Sequence, residues 1–446
     1  MNPPVRSTTI LQIIPRIDAG GAEQATLEIT SAIARAGGLS LVVTGGGRLA
    51  PQIEAAGGEI VAMPAASKDP RQMWRNARAL VDIIRTRGVE IVHARSRAPA
   101  WSALAAARLT GTPFVTTFHG AYSDRGPFKR LYNSIMARGD RVIANSHFTA
   151  ALIHSRYPRS ADRIRVIHRG VDLSAFQPDR IAPPRLAALR KKWGVAKDAR
   201  LVLHAARLTG WKGQRTVIDA AAVLSGISAV RDAVVILAGD PQGRSGYVEE
   251  LEGRIAMAGL KDRVRLVGHC DDMPAAYKLA HVAVVASTEP EAFGRASAEA
   301  QAMGCPVIVS DQGASPETIR PAGQVPEEEM TGWVVPVGDV PALAGALCDA
   351  LCLSNRLRER MGRAARAYVT SRFTDDAMKQ ATLAVYDELL GSALRQAYLD
   401  AGEPPRASAG SGGAKPPASP VEKPSSAPRG GRKSRSRKGK APSQPA

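Results

Sequence analysis

Short apolar runs, each about as long as one β-strand, recur through the first part of the chain. Residues rich in Ile, Val and Leu form these runs at 10–15, 39–44, 89–93, 113–118 and 141–144. Ala-rich stretches of helical character separate them, at 22–36, 73–85, 99–109 and 127–137. Strands that read as continuous apolar runs and alternate with helices are typical of parallel sheets. This part of the chain is therefore predicted to form a doubly wound parallel sheet.

The pattern lapses at 166–178, where Gly170 and Pro178 interrupt it, and we predict a domain hinge there. It then resumes, with apolar runs at 201–206, 233–238, 264–267, 282–286 and 307–310 and helical stretches at 213–224, 247–258 and 295–303. The predicted fold class is α/β, with two Rossmann-like doubly wound domains that face an interdomain cleft. We place the first domain at 1–178 and the second at 179–373.

Three more helical stretches follow, at 341–351, 356–370 and 375–399. We predict that the last of them, within 374–402, crosses back to the first domain. Residues 403–446 are mostly Pro, Ser, Ala, Gly, Lys and Arg, with almost no large apolar side chain. Such a segment cannot bury enough apolar surface to offset the entropy lost on ordering. We therefore expect a disordered basic C-terminal tail.

Composition agrees with a folded protein that has two cores. The chain has 446 residues, of which 44% are hydrophobic and 23% charged. Its apolar runs fall far short of the roughly 20 residues that a membrane-spanning helix needs, and residues 1–6 lead into the first run without the apolar core of a signal peptide. These features predict a cytoplasmic protein. The four cysteines lack CxxC spacing, which predicts buried reduced thiols rather than a zinc site or disulfides.

The formal net charge of +19 is distributed unevenly. The tail holds ten lysines and arginines against two glutamates, and residues 68–169 hold nineteen basic against six acidic residues. The excess of basic residues at 68–169 has two interpretations. It is either a solubilising surface or a surface that docks onto an anionic membrane through the helical stretch 127–138. The basic segment 429–440 also suggests nucleic-acid binding as an alternative function. That segment has no aromatic residue to stack on bases, so we expect no specific nucleic acid as partner.

Two glycines, Gly20 and Gly21, separate the first predicted strand from the first predicted helix. Backbone amides at a helix N-terminus can approach an anion closely, and the helix dipole favours negative charge there. A Gly-Gly pair before a helix is also a common tight turn. The G-x-G-x-x-G fingerprint is absent, which argues against a nicotinamide-dependent enzyme.

Two cations, Arg207 and Lys212, follow the first apolar run of the second domain, in the segment RLTGWKG. Ligands of open α/β sheets bind outside the carboxyl ends of the strands. An Arg offers a planar fork and a Lys a point charge, and together they suit a diphosphate. The alternative is a solvated loop with two ordinary surface charges.

Two glutamates follow the run at 282–286, with Glu291 before the next predicted helix and Glu299 within it. If Gly294 lies at the helix N-terminus, its amide and those of Phe293 and Arg295 point at the same cleft as the two cations. Ionised carboxylates accept hydrogen bonds from hydroxyl groups, including those of sugars and ribose. On spacing alone, two such glutamates would more often be surface residues.

Eight sequence blocks in order carry a resemblance to a known family. They are Gly20-Gly21-Ala22-Glu23, Thr117-Phe118-His119-Gly120, Ala144-Asn145-Ser146, Arg169-Gly170-Val171-Asp172 with Phe176 and Pro178, Arg207 with Lys212-Gly213, Ala238-Gly239-Asp240, the Glu291 to Glu299 segment, and Gly304-Cys305-Pro306-Val307. With these blocks the chain resembles the retaining family 4 glycosyltransferases of the GT-B fold, from about residue 10 to residue 390. Two departures are His168-Arg169-Gly170 in place of a Pro-Asn-Gly-like turn and Ala292 where Gly is common. A third is Pro241 in place of a glycine.

The resemblance implies a donor site for a nucleotide-diphosphate sugar. The amides of Gly20 and Gly21 would hold the diphosphate together with Arg207 and Lys212. The resemblance further implies that transfer needs no metal or other cofactor and retains the anomeric configuration.

The resemblance also implies that Glu291 contacts the donor sugar, that Glu299 contacts the ribose, and that His119 reaches the reacting sugar from the first domain. A histidine at a strand end is otherwise more often a structural hydrogen-bonding group. No carboxylate base is evident close to His119 in sequence, which is compatible with front-face attack, in which the leaving phosphate takes the acceptor proton.

The acceptor and the nucleotide base stay open at this point. The basic first domain favours a lipid-linked or lipopolysaccharide-core acceptor and a peripheral position on the inner face of the cytoplasmic membrane. Alternatives are a transferase that makes a soluble glycan, a GT-B nucleotide-sugar epimerase, and nucleic-acid binding through the tail. Among donors, GDP-mannose or a UDP-hexose is favoured only because such donors are common among similar envelope enzymes.

Overall fold

The structure, a computed structural model, describes residues 8–18, 20–122 and 126–402. The tail at 403–446, with its predicted disorder, lies outside these residues. The described residues confirm the predicted α/β class, with two parallel sheets of seven and six strands. Among them, no helix combines the length and apolar character needed to cross a bilayer.

The first sheet has the strand order β3-β2-β1-β4-β5-β6-β7, and each neighbouring pair is parallel. Its strands are β1 (Thr9–Ile13), β2 (Leu39–Thr44), β3 (Gly58–Ala62), β4 (Val89–Ala94), β5 (Phe114–Phe118), β6 (Arg141–Ala144) and β7 (Ile164–Val166). The helices that connect them are α1 (Gly21–Arg35), α2 (Ala50–Ala55), α3 (Pro70–Thr86), α4 (Arg97–Thr110), α5 (Pro127–Asn133) and α6 (His147–Arg156). The predicted helix 127–137 is thus shorter, because its second half forms the 3₁₀ helix Ser134–Ala137.

The second sheet has the order β10-β9-β8-β11-β12-β13, again with parallel neighbours. Its strands are β8 (Leu201–Ala205), β9 (Val234–Ala238), β10 (Val264–Gly268), β11 (Val282–Val285), β12 (Val307–Ser310) and β13 (Gly332–Val335). The accompanying helices are α7 (Pro183–Trp193), α8 (Gln214–Ser225), α9 (Ser245–Met257), α10 (Met273–Leu279), α11 (Arg295–Ala302), α12 (Val340–Cys352) and α13 (Asn355–Arg372).

The predicted single helix at 375–399 is wrong, because the segment forms α14 (Asp375–Leu390) and α15 (Leu394–Asp400). Gly391 adopts a left-handed conformation with φ 64° and ends α14. Buried residues of α14, including Tyr386, pack against α1 and one face of the first sheet. The Tyr386 hydroxyl also bonds Nδ1 of the buried His93 at 2.7 Å.

Each sheet has apolar residues on both of its faces. In the first sheet, Leu11 and Ile13 pack towards α3 and α4, whereas Ile10 packs towards α1 and α14. This alternation explains why the strands read as continuous apolar runs. Cys270 and Cys305 are buried as predicted, but the prediction is wrong for Cys348, which is half-buried, and for Cys352, which is exposed at the end of α12.

Candidate active site

The predicted site residues follow strand ends at the point where chain order reverses in each sheet. In the first sheet the order reverses between β1 and β4, and Gly20 comes after β1. In the second it reverses between β8 and β11, and here Arg207 and Lys212 follow β8 while Glu291 follows β11. The crevice at such a switch point is where open α/β sheets bind ligands.

These strand ends border one cavity of about 640 Å³, a size that suits a small-molecule ligand. Residues from both sheets line it, so the cavity is a cleft between the two halves of the fold. All predicted site residues except Glu299 belong to this lining: Gly20, Gly21, His119, Arg207, Lys212, Glu291, Phe293, Gly294 and Arg295. The structure thus brings these residues together, while their roles towards a ligand stay predictions.

The glycine turn after β1 leads directly into α1. Gly20 is the N-cap residue, with φ 151°, and its carbonyl accepts from the Gln24 amide at 3.0 Å. A Cβ atom at this position would lie 2.6 Å from Oε2 of Glu23. No side chain caps the N-terminus of this 15-residue helix, and both glycines line the cleft, so the helix start faces a ligand there.

Lys212 and Glu291 form an ion pair across the cleft floor. Nζ of Lys212 lies 2.6 Å from Oε1 of Glu291, and the side chains are only 15% and 12% exposed. The Ser287 hydroxyl donates to the same carboxylate oxygen. From the sequence, separate partners are predicted for these two residues, and their pairing is not.

Backbone contacts hold the two segments that carry this pair. The carbonyl of Trp211 accepts from the Thr288 amide at 2.8 Å, and Glu291 pairs through its backbone with the 313–314 segment. Arg207 differs from Lys212, since it is exposed and its guanidinium has no hydrogen-bond or ion-pair partner among the described residues. One cation is therefore held in place and the other is free to meet a ligand.

Glu299 lies further along α11 and meets the cleft only through Arg295. Nε of Arg295 lies 3.3 Å from the Glu299 carboxylate, and its guanidinium also reaches Glu28 of α1 at 3.5 Å. Burial raises the pKa of both Glu28 and Glu299, and the positive charge of Arg295 opposes the rise. Gly294, with φ 94°, is the N-cap residue of α11, which is the position considered for it from the sequence.

His119 follows β5 and lines the cleft from the first domain. Its Nδ1 is hydrogen-bonded to the guanidinium of Arg169, and its buried Nε2 has no partner among the described residues. Burial holds the pKa of His119 well below its usual range, and the positive charges of Arg169 and Arg95 lower the pKa further. The ring is therefore a neutral imidazole at neutral pH.

Four further polar residues that line the cleft, Glu23, Asn145, Arg169 and Glu289, have no role assigned from the sequence. The first three belong to blocks that carry the resemblance, but their type and spacing alone give no chemical signal. Glu28, which does not belong to any block, is found only through its contact with Arg295. Its carboxylate sits on the mostly apolar inner side of α1, a placement that helical periodicity could have flagged.

Glu317, after β12, joins the two halves of the fold beside the cleft. Its carboxylate accepts from the backbone amides of His147 and Phe148 at the N-terminus of α6, at 2.9 and 2.5 Å. Burial acts to raise the pKa of Glu317, but these amides and His168 outweigh it and lower the pKa. The helix terminus and the carboxylate are a favourable pair, since the dipole is positive at this end.

Two family profiles match consecutive parts of the chain. Residues 19–175 match the profile described as Glycosyltransferase Family 4, and residues 187–368 match that of Glycosyl transferases group 1. The chain is 28% identical to a D-inositol 3-phosphate glycosyltransferase of Jonesia denitrificans over 320 residues, which is 67% of this chain and 71% of that one. For the enzyme of the same name from Streptomyces scabiei, the identity is 34% over 56% of this chain and 54% of that one.

Solved structures are similar over most of the chain. A glycosyltransferase of Rickettsia africae has a TM-score of 0.79 and 32% identity over 87% of this chain and all of that one. Anabaena Alr3699/HepE in complex with UDP and glucose has a TM-score of 0.72 and 24% identity, over 86% and 99% of the two chains. WaaG, a glycosyltransferase involved in lipopolysaccharide biosynthesis, is similar in fold, with a TM-score of 0.64 and 18% identity over 86% of this chain and 100% of that one. These similarities confirm the predicted GT-B fold.

Proposed function

Because the chain belongs to the family 4, group 1 glycosyltransferases, we propose that it moves a hexose from a nucleotide-diphosphate sugar to an acceptor, with retention of configuration. The observation that carries this proposal is the cleft in which Arg207, Lys212 and Glu291 meet His119 and the start of α1. It combines positive charge, a carboxylate and open helix amides around one space of ligand size.

The donor diphosphate would lie between the α1 N-terminus and the two cations. Arg207 is free to form two parallel hydrogen bonds to phosphate oxygens, and Lys212 is already held at the cleft floor. Negative charge grows on the diphosphate as its bond to the sugar breaks, so these cations would stabilise the transition state more than the ground state. In this proposal the two side chains supply the charge that a metal ion supplies elsewhere, and transfer requires no metal.

The sugar would lie between Glu291 and His119. Glu291 can accept from sugar hydroxyls while it remains paired with Lys212, since a carboxylate has about four acceptor sites. His119 contacts the reacting sugar from the opposite wall. Glu299 would contact the ribose after Arg295 gives up one of its two carboxylate partners. Phe293, Gly294 and Arg295 complete the wall next to the nucleotide.

In the transfer step the bond between the anomeric carbon and the diphosphate oxygen breaks. The acceptor hydroxyl oxygen attacks the anomeric carbon on the same face, and its proton moves to the leaving phosphate oxygen. This accounts for all atoms and charges without a separate protein base, and it produces retention. Within the part of the chain that the structure describes, the carboxylates that line the cleft are those of Glu23, Glu289 and Glu291.

For the donor we favour a UDP-hexose. The solved structures of Alr3699/HepE contain UDP with glucose and UDP-glucose, and that protein has the same fold along most of this chain. GDP-mannose is the alternative, and a screen of nucleotide sugars separates the two.

A thermal-shift and hydrolysis screen against UDP-, GDP- and ADP-sugars, with and without a chelator, tests the donor site. A ligand at 100 times its Kd stabilises a protein by about 2.7 kcal/mol. We expect one nucleotide class to raise the Tm of the wild type and of Arg254→Ala, a surface control in an exposed pair with Asp219. Lys212→Ala is expected to lose the shift. If no class shifts the wild type, the donor proposal fails.

For the acceptor we propose a lipid-linked or other envelope glycan, with the protein in the cytoplasm or at the inner face of the cytoplasmic membrane. Support comes from α5, where Phe128 and Leu131 are 87% and 57% exposed beside Lys129 and Arg130. Exposed apolar side chains beside cations are typical of helices that lie on anionic membranes. The D-inositol 3-phosphate glycosyltransferases favour a second candidate, a small phosphorylated polyol as acceptor.

Vesicle sedimentation distinguishes the two acceptor classes. We expect the wild type to bind vesicles of anionic lipid and not neutral ones, and the double variant Phe128→Ser/Leu131→Ser to lose at least roughly 10²-fold in affinity, since each buried apolar side chain contributes about 1.5–3 kcal/mol and every 1.4 kcal/mol is tenfold. Leu109→Ser, which removes another exposed apolar residue, is the control. Equal binding by both variants would contradict docking through α5, and transfer to a soluble polyol phosphate without lipid would favour the second candidate.

Deletion of residues 403–446 addresses the tail. An unchanged transfer rate with weaker vesicle binding would make the tail an electrostatic anchor. The non-enzymatic alternative would be favoured if the full chain transfers no sugar but binds nucleic acid, and if this binding is lost when the tail is deleted. Formation of an epimerised nucleotide sugar without acceptor would identify an epimerase.

A further inference from the structure

Arg169 lies in the segment that joins the two halves of the fold, and the backbone that directly follows it is bound to residues 373–375. The amide of Val171 donates to the Phe373 carbonyl at 2.8 Å, and the Asp375 amide donates to the Val171 carbonyl at 3.1 Å. A Cβ atom on Gly170 would lie 2.2 Å from backbone atoms of Asp375. The Arg169 side chain therefore starts from a fixed point at the base of α14.

The guanidinium of Arg169 is buried, with 6% of the residue exposed, and it reaches the cleft. One terminal nitrogen is hydrogen-bonded to Nδ1 of His119, and the other lies 3.9 Å from Sδ of Met378. A guanidinium has only donors and no acceptor. Because Arg169 must donate in this contact, Nδ1 of His119 must accept.

We infer that Arg169 is a positioning residue that holds His119 in the tautomer with its proton on Nε2. A neutral imidazole has one acceptor and one donor nitrogen, so an accepting Nδ1 requires a protonated Nε2. Nε2 is buried and has no partner among the described residues, while the ring lines the cleft. His119 thus offers an N–H donor to an oxygen of whatever ligand lies there. Only the identity of that ligand rests on the proposed function, because the tautomer belongs to the free protein.

The surrounding charges favour a neutral ring. Arg169, Arg95 and His93 face His119, and burial together with these groups lowers its pKa. Arg169 itself faces Arg95, Arg295, Glu28 and Glu23, and burial beside Arg95 lowers its pKa to about 9. Arg169 therefore stays protonated at neutral pH and continues to donate.

Nitrogen-15 NMR of the full chain with labelled histidine tests the tautomer without any substrate. In the wild type we expect the His119 signals, assigned through His119→Asn, to show an unprotonated Nδ1 and a protonated Nε2. Arg169→Met should mix the tautomers. It should also raise the pKa of His119, because a positive neighbour is removed, so the ring should titrate at higher pH than in the wild type. A protonated Nδ1 in the wild type would overturn the inference.

Kinetics with the donor found in the screen separates positioning from direct ligand binding. Arg169→Met is expected to lower kcat roughly 10²-fold, a loss typical of misplaced groups, and to leave KM for the donor within about threefold. Arg169→Lys, which keeps a donor, should recover part of the rate.

In a His119→Asn background, Arg169→Met should cost little more, since residues that act through one another are not additive. The positioning role would be overturned if Arg169→Met lowers kcat by the same factor in the wild type and in His119→Asn. It would also be overturned if Arg169→Met lowers the affinity for the nucleotide by as large a factor as kcat. If no nucleotide sugar is turned over at all, the proposed function fails, while the NMR experiment still decides the tautomer.

Discussion

Lys212→Met is expected to lower kcat/KM for the donor by roughly 10²–10³-fold, the usual loss when one preorganised charge is removed from a transition state. Lys212 is fixed by its 2.6 Å pair with Glu291, so it needs no reorganisation when charge develops on the diphosphate. Glu291→Gln should lower kcat by a similar factor. In contrast to Lys212→Met, it should keep the thermal shift caused by the nucleotide diphosphate alone, because Glu291 is proposed to contact the sugar.

Arg254→Met is the matched control for this pair, since it breaks an exposed ion pair with Asp219 on the outer helices. It should change kcat/KM less than twofold. The double variant Lys212→Met/Glu291→Gln should be more stable than Lys212→Met, because a partly buried carboxylate no longer lacks its partner. Wild-type turnover by Lys212→Met would contradict the proposed donor site, and loss of the nucleotide shift in Glu291→Gln would contradict the separate roles.

Gly213→Ala is expected to lower the free energy of unfolding by roughly 2–4 kcal/mol, among the larger effects of a single substitution. Gly213 has φ 80°, which disfavours a side chain, and a Cβ atom would lie 1.8 Å from the Ala286 carbonyl oxygen. The loop that carries Lys212 would have to move away from the end of β11. We therefore expect the nucleotide thermal shift to weaken together with stability, as measured by urea and thermal unfolding.

Gly226→Ala provides the comparison for Gly213→Ala. Gly226 ends α8 with φ −82°. A Cβ atom added at this position would have the Val223 carbonyl oxygen as its nearest neighbour, at 3.6 Å. Substitution there should change stability by less than about 1 kcal/mol, since the backbone already suits alanine. Similar unfolding curves for both variants would show that the contact between the Lys212 loop and β11 is not a tight one.

The strands predicted from the sequence are all those inside the two sheets, together with the edge strand β10. The pattern identifies β2, β6 and β12 with their observed bounds and the other predicted strands, β1, β4, β5, β8, β9, β10 and β11, to within two residues. It misses β3, β7 and β13, which lie at the sheet edges. Edge strands such as β3 are only partly buried, and they therefore lack a continuous apolar run. The turn at Gly391 is also missed, since a single glycine within a helical pattern gives a weak signal.

The positions of the site residues at strand ends could be predicted, but their contacts could not. Arg207, Lys212 and Glu291 each follow an apolar run closely, so their common edge of the sheet follows from the parallel topology. The Lys212–Glu291 pair joins residues 79 positions apart, and the Arg295–Glu28 contact spans 267 positions. No local pattern encodes which side chains meet over such distances.

By itself the sequence determined the two parallel sheets, the order of their helices and the strand ends at which polar residues gather, because periodicity and breakers act locally along the chain. Only the tertiary structure decided that Arg169 reaches His119, that Glu28 reaches Arg295, and that α14 completes the core of the first sheet. These contacts depend on how the two halves of the fold pack together. Packing is set by shape and burial over the whole molecule, which a one-dimensional pattern does not contain.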